Sequence, residues 1–210
     1  VEAIEILKSS LIEWGKFPLE ADRNMRHTSL HTLGRTYVQN GQYQEAKEAL
    51  KESLHLKELI NERFDATQRT RATLAEACIN LGEFQEAGQY LQEDDVEKLT
   101  RMGSYLYAAS SFKALSQLNF AQGNYQESRR LADRALDVAD QSNNPLTKFE
   151  VLLWILPTRL RRFDIPSFII LLPRFGRAFF RLRLSPLEII KLVLKRLAVT
   201  LNPLRWIRSK

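Results

Sequence analysis

The sequence predicts an all-α protein whose antiparallel helix hairpins stack into a superhelical solenoid. Two observations lead to this prediction. Apolar residues recur with helical spacing along most of the 210 residues, and a turn of the form Gly-x-aromatic returns at intervals of 41 residues. A single helix hairpin cannot bury its apolar faces alone, so neighbouring hairpins have to stack.

Three turns set this period: Gly41-Gln42-Tyr43, Gly82-Glu83-Phe84 and Gly123-Asn124-Tyr125. Glycine tolerates the left-handed backbone conformation that closes a helix, so each turn is expected to end one helix just before a second begins. In the third turn, Asn124 and Glu127 have the spacing of a capping box for that second helix. The same register aligns the small residues Gly34, Ala75 and Ser116, which we expect where the two helices of a hairpin touch.

The repeats follow one another from the start of the chain. Segment 2–10 echoes the spacing of segment 45–53, so residues 1–24 are predicted to be half of an earlier repeat. We therefore expect further repeats upstream in a longer parent protein. A repeat region over residues 1–144 then contains three full repeats, at about residues 27–61, 68–102 and 109–144.

The first full repeat is similar to the tetratricopeptide repeat (TPR) consensus. The matching pattern is Leu30-x-x-Leu33-Gly34-x-x-Tyr37-x-x-x-Gly41-x-Tyr43-x-x-Ala46-x-x-x-Leu50-x-x-Ser53. Its period is longer than the usual 34 or so residues and resembles the long-helix variants of kinesin light chains and of bacterial signal-transduction regulators. The resemblance implies a right-handed superhelix and a scaffold for protein interactions, the arm of a larger signalling or assembly protein.

The resemblance also implies where a protein or peptide ligand would bind, because the first helices of successive repeats line a concave groove in this family. Long polar side chains on that face suit a peptide backbone, and a few apolar ones suit its side chains. Carried over by repeat position, the candidates are His31, Arg35, Val38, Gln39, Arg69, Ala72, Glu76, Ile79, Asn80, Lys113, Gln117 and Phe120.

The organisation changes after Asn144-Pro145, a cap followed by a first-turn proline. Residues 145–210 are predicted to form a degenerate fourth hairpin followed by a basic amphipathic helix that begins at Ser185-Pro186. Pro157 falls inside the first helix of that hairpin, which should therefore kink or stop early.

Charge is distributed unevenly along the chain. Residues 157–210 hold 13 Lys and Arg against two acidic residues, whereas residues 1–156 hold 18 against 23. Two interpretations of the basic segment stay open: a cap that buries its apolar face on the solenoid, or a surface that docks on an anionic membrane or an amphipathic partner. Nucleic acid is the least favoured partner, because the repeat region is acidic. The candidate surface residues are Arg174, Arg177, Arg181, Lys191, Lys195, Arg196, Arg205, Trp206 and Arg208.

The sequence contains little that would support a catalytic function. The three histidines do not pair with Cys78 or with carboxylates at ligand spacing, so we predict no catalytic, metal or cofactor site and no enzyme activity. The acidic run Glu93-Asp94-Asp95 is interpreted as a solvated helix end rather than a cation site. Cys78 is expected to be an inert core thiol. A lone cysteine requires no oxidising compartment, so we expect a cytoplasmic protein with a possible membrane association through its basic end.

Overall fold

The computed structural model describes residues 2–14, 20–161 and 164–181, and these ranges contain ten helices and no strand. In chain order the helices are α1 (Glu2–Trp14), α2 (Glu20–Asn40), α3 (Tyr43–Leu59), α4 (Phe64–Leu81), α5 (Phe84–Tyr90), α6 (Glu93–Arg101), α7 (Tyr105–Ala121), α8 (Tyr125–Gln141), α9 (Pro145–Arg161) and α10 (Ile165–Arg181).

The helices pack as successive hairpins that share one core. Helix α2 packs on α3, α7 on α8 and α9 on α10, while α2, α4, α7 and α9 contact one another in that order and form one layer. Buried apolar side chains form a single cluster that runs from Ile4 in α1 to Ala178 in α10. This arrangement confirms the prediction of an all-α, TPR-like helical solenoid. The division of the chain at residue 144 stays a prediction.

The glycine turns adopt the predicted backbone conformation. Gly41, Gly82 and Gly123 have φ angles of 79°, 85° and 84°, in the left-handed region that side chains disfavour. The prediction of a capping box at Asn124 is wrong, since the Asn124 side chain makes no cap hydrogen bond. Its amide instead donates to Asn119 Oδ1 at 3.4 Å. The cap at Asn144 is confirmed, because Asn144 Oδ1 accepts from the backbone N–H groups of residues 146 and 147 at 3.0 and 3.2 Å.

The aligned small residues lie at the predicted helix contacts. A Cβ atom added at Gly34 would stand 2.4 Å from Leu50 Cγ of α3, so only glycine fits without movement. Ala75 and Ser116 are fully buried at the same repeat position in α4 and α7.

The second helix of the middle hairpin differs from the sequence prediction. It is broken into α5 and α6, because Leu91 is extended with φ −121° and ψ 102°. Gly88, which has a low helix propensity, lies one turn before the break and lowers the cost of ending the helix there. Glu93, Asp94 and Asp95 consequently form the first turn of α6, at the N-terminal end of that helix. Carboxylates at that position interact favourably with the helix dipole.

Helix α9 continues through Pro157 to Arg161, so the alternative of an early stop at this proline is wrong. A proline inside a helix costs about 3 kcal/mol. The side chains of Phe149, Leu152 and Ile155 are fully buried on the same helix, and each such burial contributes about 1.5–3 kcal/mol. Apolar packing of α9 therefore outweighs the lost hydrogen bond.

The predicted C-terminal helix from Ser185 lies outside the described residues. So do the candidate surface residues Lys191, Lys195, Arg196, Arg205, Trp206 and Arg208.

Candidate functional site

The inner faces of α2, α4, α7 and α9 enclose a groove of about 320 Å³. All four helices belong to the same layer of the solenoid, and each contributes side chains. Seven of the predicted residues line this groove, so it is the surface that repeat position indicated: Arg35, Val38, Gln39, Arg69, Ala72, Glu76 and Lys113.

His31 is not a groove residue, although it shares a helix face with Arg35. Its side chain is only 3% exposed, and its Nδ1 lies 3.2 Å from the hydroxyl of Thr70 on α4. Burial, followed by the positive charges of Arg69, Lys57 and Arg35, lowers the pKa of His31 to about 3. His31 is therefore a neutral core residue of the α2–α4 contact.

The remaining predicted residues also lie away from the groove. Ile79 is buried in the common core, and Asn80 donates its side-chain amide to the backbone oxygen of Glu76 at 2.7 Å. Gln117 does not line the groove. Phe120 packs edge-to-face on Trp154 of α9, with ring centroids 5.5 Å apart, and lines a separate cavity.

Sequence reasoning missed half of the groove wall. The missed residues are Thr73 of α4, Leu106, Tyr107 and Ser110 of α7, and Asn144, Leu146, Thr147 and Glu150 at the start of α9. A signal was present for Leu106 and Ser110, which share a helix face with Lys113 at spacings of seven and three residues. The α9 residues belong to the hairpin that the sequence predicts to be degenerate, so repeat position in the three full repeats does not indicate them.

The groove has a cationic side formed by Arg35 and Arg69. Both lower the pKa of His31, so both guanidinium groups lie close to that ring. The Arg69 guanidinium stands 5.6 Å from the centroid of the Tyr107 ring. Within the described part of the chain, neither arginine forms an ion pair. Their charges are therefore available to an anionic group in the groove.

The rest of the wall is mixed in character. Lys113 Nζ lies 3.5 Å from Glu76 Oε2, and both side chains are largely buried, so this pair is an internal part of the wall. Leu106 and Leu146 are 39% and 45% exposed and give the α7–α9 side an apolar rim. The groove thus combines free cations on one side with apolar surface on the other.

The described residues contain one group with metal-ligand spacing, in which the ligand atoms of Cys78, Glu83 and Glu86 lie within 4.8 Å of one another. Lys47 Nζ contacts both carboxylates at 2.7 Å and Lys51 Nζ contacts Glu86 at 2.6 Å, so two lysines already compensate the two negative charges. Burial, followed by the negative charge of Glu86, raises the pKa of the Cys78 thiol to about 12. The thiol is therefore protonated and buried, as expected for a core cysteine.

The described part of the basic surface lies on α10. Arg177 and Arg181 are exposed there, and Arg174 forms an ion pair with Asp140 of α8. Among the residues that the structure describes, no helix combines the length and the apolar character needed to cross a bilayer.

Comparison with known families identifies the repeats. A tetratricopeptide repeat family model matches residues 28–63 and 108–141, which cover the α2–α3 and α7–α8 hairpins. These two segments are therefore similar to tetratricopeptide repeats. The segment between the two TPR matches holds α4, α5 and α6, where the second helix is broken. No curated protein matches the chain in sequence. TPR repeats generally mediate interactions between proteins, so the family supports a scaffold and gives no indication of an enzyme.

Proposed function

We propose that this protein is an interaction scaffold that holds an extended segment of a partner protein in the groove between α2, α4, α7 and α9. The observation that carries the proposal is the pair Arg35 and Arg69, which face the groove without an ion pair among the described residues. Arginines without an ion pair favour a ligand carboxylate, because their planar donors bind it at two points.

The ligand that fits has an acidic side chain near an apolar one. Leu106 and Leu146 supply the apolar surface opposite the arginines. Clefts that bind ligands generally combine an apolar wall with a few polar groups that fix orientation. We further propose that the chain acts in the cytoplasm as the arm of a larger signalling or assembly protein.

Peptide selection tests the groove. A displayed library of random peptides is selected on the full chain, and the affinities of the selected peptides are measured for Arg35→Ala combined with Arg69→Ala. We expect the dissociation constant to rise by at least about tenfold, since each charged hydrogen bond contributes about 1.5–3 kcal/mol.

The control combines Arg63→Ala with Arg71→Ala, which removes two arginines that do not line the groove. Equal affinities of the selected peptides for the native chain and the groove variant would contradict the proposal.

A second candidate function is docking on an anionic membrane through the basic end of the chain. The observation that favours it is the exposed surface of α10, where Ile169 and Ile170 are 58% and 70% exposed and Arg177, about two turns later, is exposed as well. An apolar helix face flanked by arginines suits the boundary between acyl chains and anionic headgroups.

Vesicle sedimentation tests this candidate with Ile169→Glu combined with Ile170→Glu. The vesicles contain phosphatidylcholine with about one third phosphatidylserine. We expect the variant to lose binding, whereas Ile6→Glu combined with Ile12→Glu, which changes two exposed isoleucines of α1, keeps it. Equal sedimentation of both variants would exclude docking through α10.

A further inference from the structure

A second cavity lies next to the groove at the N-terminal end of α9, between the α8–α9 turn and the C-terminal half of α10. Its volume is about 300 Å³, and its wall includes Lys148 of α9 and Arg174, Arg177 and Arg181 of α10. The three arginines stand three and four residues apart and therefore share one face of the helix. The cavity brings four cationic side chains together.

One carboxylate faces these cations. Asp140 at the end of α8 forms ion pairs with Lys148 and Arg174. Burial raises the pKa of Asp140, but the hydrogen bonds from Lys148 and Arg174 outweigh it and hold the pKa below its usual value. Asp140 is therefore ionised, and it neutralises only one of the four positive charges.

Arg177 and Arg181 have no ion pair within the described ranges, and both are exposed. Like charges four residues apart destabilise a helix, so their spacing does not serve the stability of α10. The rest of the C-terminal sequence offers few acidic side chains that could neutralise these two arginines. Residues 182–210 contain seven Lys and Arg and a single acidic side chain, Glu188. An anion from outside the chain is the remaining source of neutralisation.

We infer that this cavity is a binding site for a phosphate group, held by Arg177 and Arg181 with Lys148 and Arg174 behind them. The excess of three positive charges suits a phosphate monoester, which is close to doubly charged at neutral pH, better than a single carboxylate. Guanidinium groups match phosphate oxygens through paired N–H donors. A cavity of this size is at the lower limit for small-molecule sites and fits a phosphorylated headgroup or metabolite rather than a folded partner.

The inference is independent of peptide binding in the groove, and the test uses the full chain. Inorganic phosphate is titrated calorimetrically into the native chain and into Arg177→Gln combined with Arg181→Gln. We expect the variant to weaken binding by at least about tenfold. The control, Arg63→Gln combined with Arg101→Gln, removes two exposed arginines that do not line the cavity and should bind phosphate like the native chain.

A second experiment, with vesicles, distinguishes the two possible sources of the phosphate group, a lipid headgroup and a soluble metabolite. Phosphatidylcholine vesicles with about 5 mol% phosphatidylinositol 4-phosphate are compared with phosphatidylserine vesicles of equal surface charge. Preference for the phosphoinositide, lost in Arg177→Gln with Arg181→Gln, assigns the site to a lipid headgroup. Binding of inorganic phosphate without that preference assigns it to a soluble phosphate. The inference is overturned if neither probe binds, or if both double variants lose binding equally.

Discussion

The first and third hairpins bring their two helices together at the same repeat position, but through different interactions. In the α2–α3 hairpin, Gly34 has no side chain and Leu50 fills the space above it. In the α7–α8 hairpin, the Ser116 hydroxyl donates to the backbone oxygen of Ser128 at 2.8 Å and accepts from Trp154 Nε1 at 3.0 Å. The close approach of the helices is common to both, but one hairpin achieves it with an apolar contact and the other with buried hydrogen bonds.

The two hairpins differ again one turn earlier, at residues 31 and 113. His31 of α2 is buried in its neutral form near three positive side chains, whereas Lys113 of α7 is buried beside Glu76. The repeat therefore conserves the position of a contact without conserving its polarity. The consequence is that the first hairpin should respond to side-chain volume and to pH, and the third to the loss of hydrogen-bond partners.

The largest loss of stability is expected from Gly34→Ala. The new Cβ would stand 2.4 Å from Leu50 Cγ, so α2 and α3 have to separate or Leu50 has to leave its position. Overpacking of this kind costs about 1–3 kcal/mol in the free energy of unfolding, which denaturant titration measures. Gly88→Ala is the control, since its Cβ would lie an ordinary 3.9 Å from Leu118 Cδ2. An equal loss in both variants would show that the volume at Gly34 is not the cause.

A smaller effect is expected from Ser116→Ala in the third hairpin. The substitution leaves the indole N–H of the buried Trp154 without its acceptor, at a cost of about 1–2 kcal/mol. Combining it with Trp154→Phe removes the unpaired donor, so the double variant should lose less than the sum of the two single variants. Strict additivity in this double-mutant cycle would contradict the coupling of α7 and α9 through these side chains.

The smallest effect is the pH dependence of the first hairpin. The pKa of His31 is about 3 in the folded protein against an ordinary value of 6.5, so the unfolded chain binds more protons between these values. Stability therefore falls as pH decreases through this window, by about 1 kcal/mol between pH 6.5 and 5.5. His31→Asn should flatten this slope of unfolding free energy, which denaturant titration at several pH values measures. The pKa of His27 is also lowered by burial, so part of the slope should remain.

Much of the repeat architecture follows from the sequence alone. The period of 41 residues and the spacing of the apolar residues were sufficient for the fold class, the left-handed glycines and the close contacts at residues 34, 75 and 116. These features are local, because a turn or a helix face is determined by residues near one another in the chain. The cap at Asn144 belongs to the same class.

Only the tertiary structure decided which residues of a predicted helix face are free to bind. His31 and Arg35 lie one turn apart on α2, yet Thr70 and its neighbours on α4 cover His31 and leave Arg35 exposed to the groove. Phe120 occupies a repeat position expected at the groove, but Trp154 of α9 packs against it on another side. Helical periodicity fixes the direction in which a side chain points. Its exposure depends on the side chains that a neighbouring hairpin places against it, about 40 residues away in the sequence.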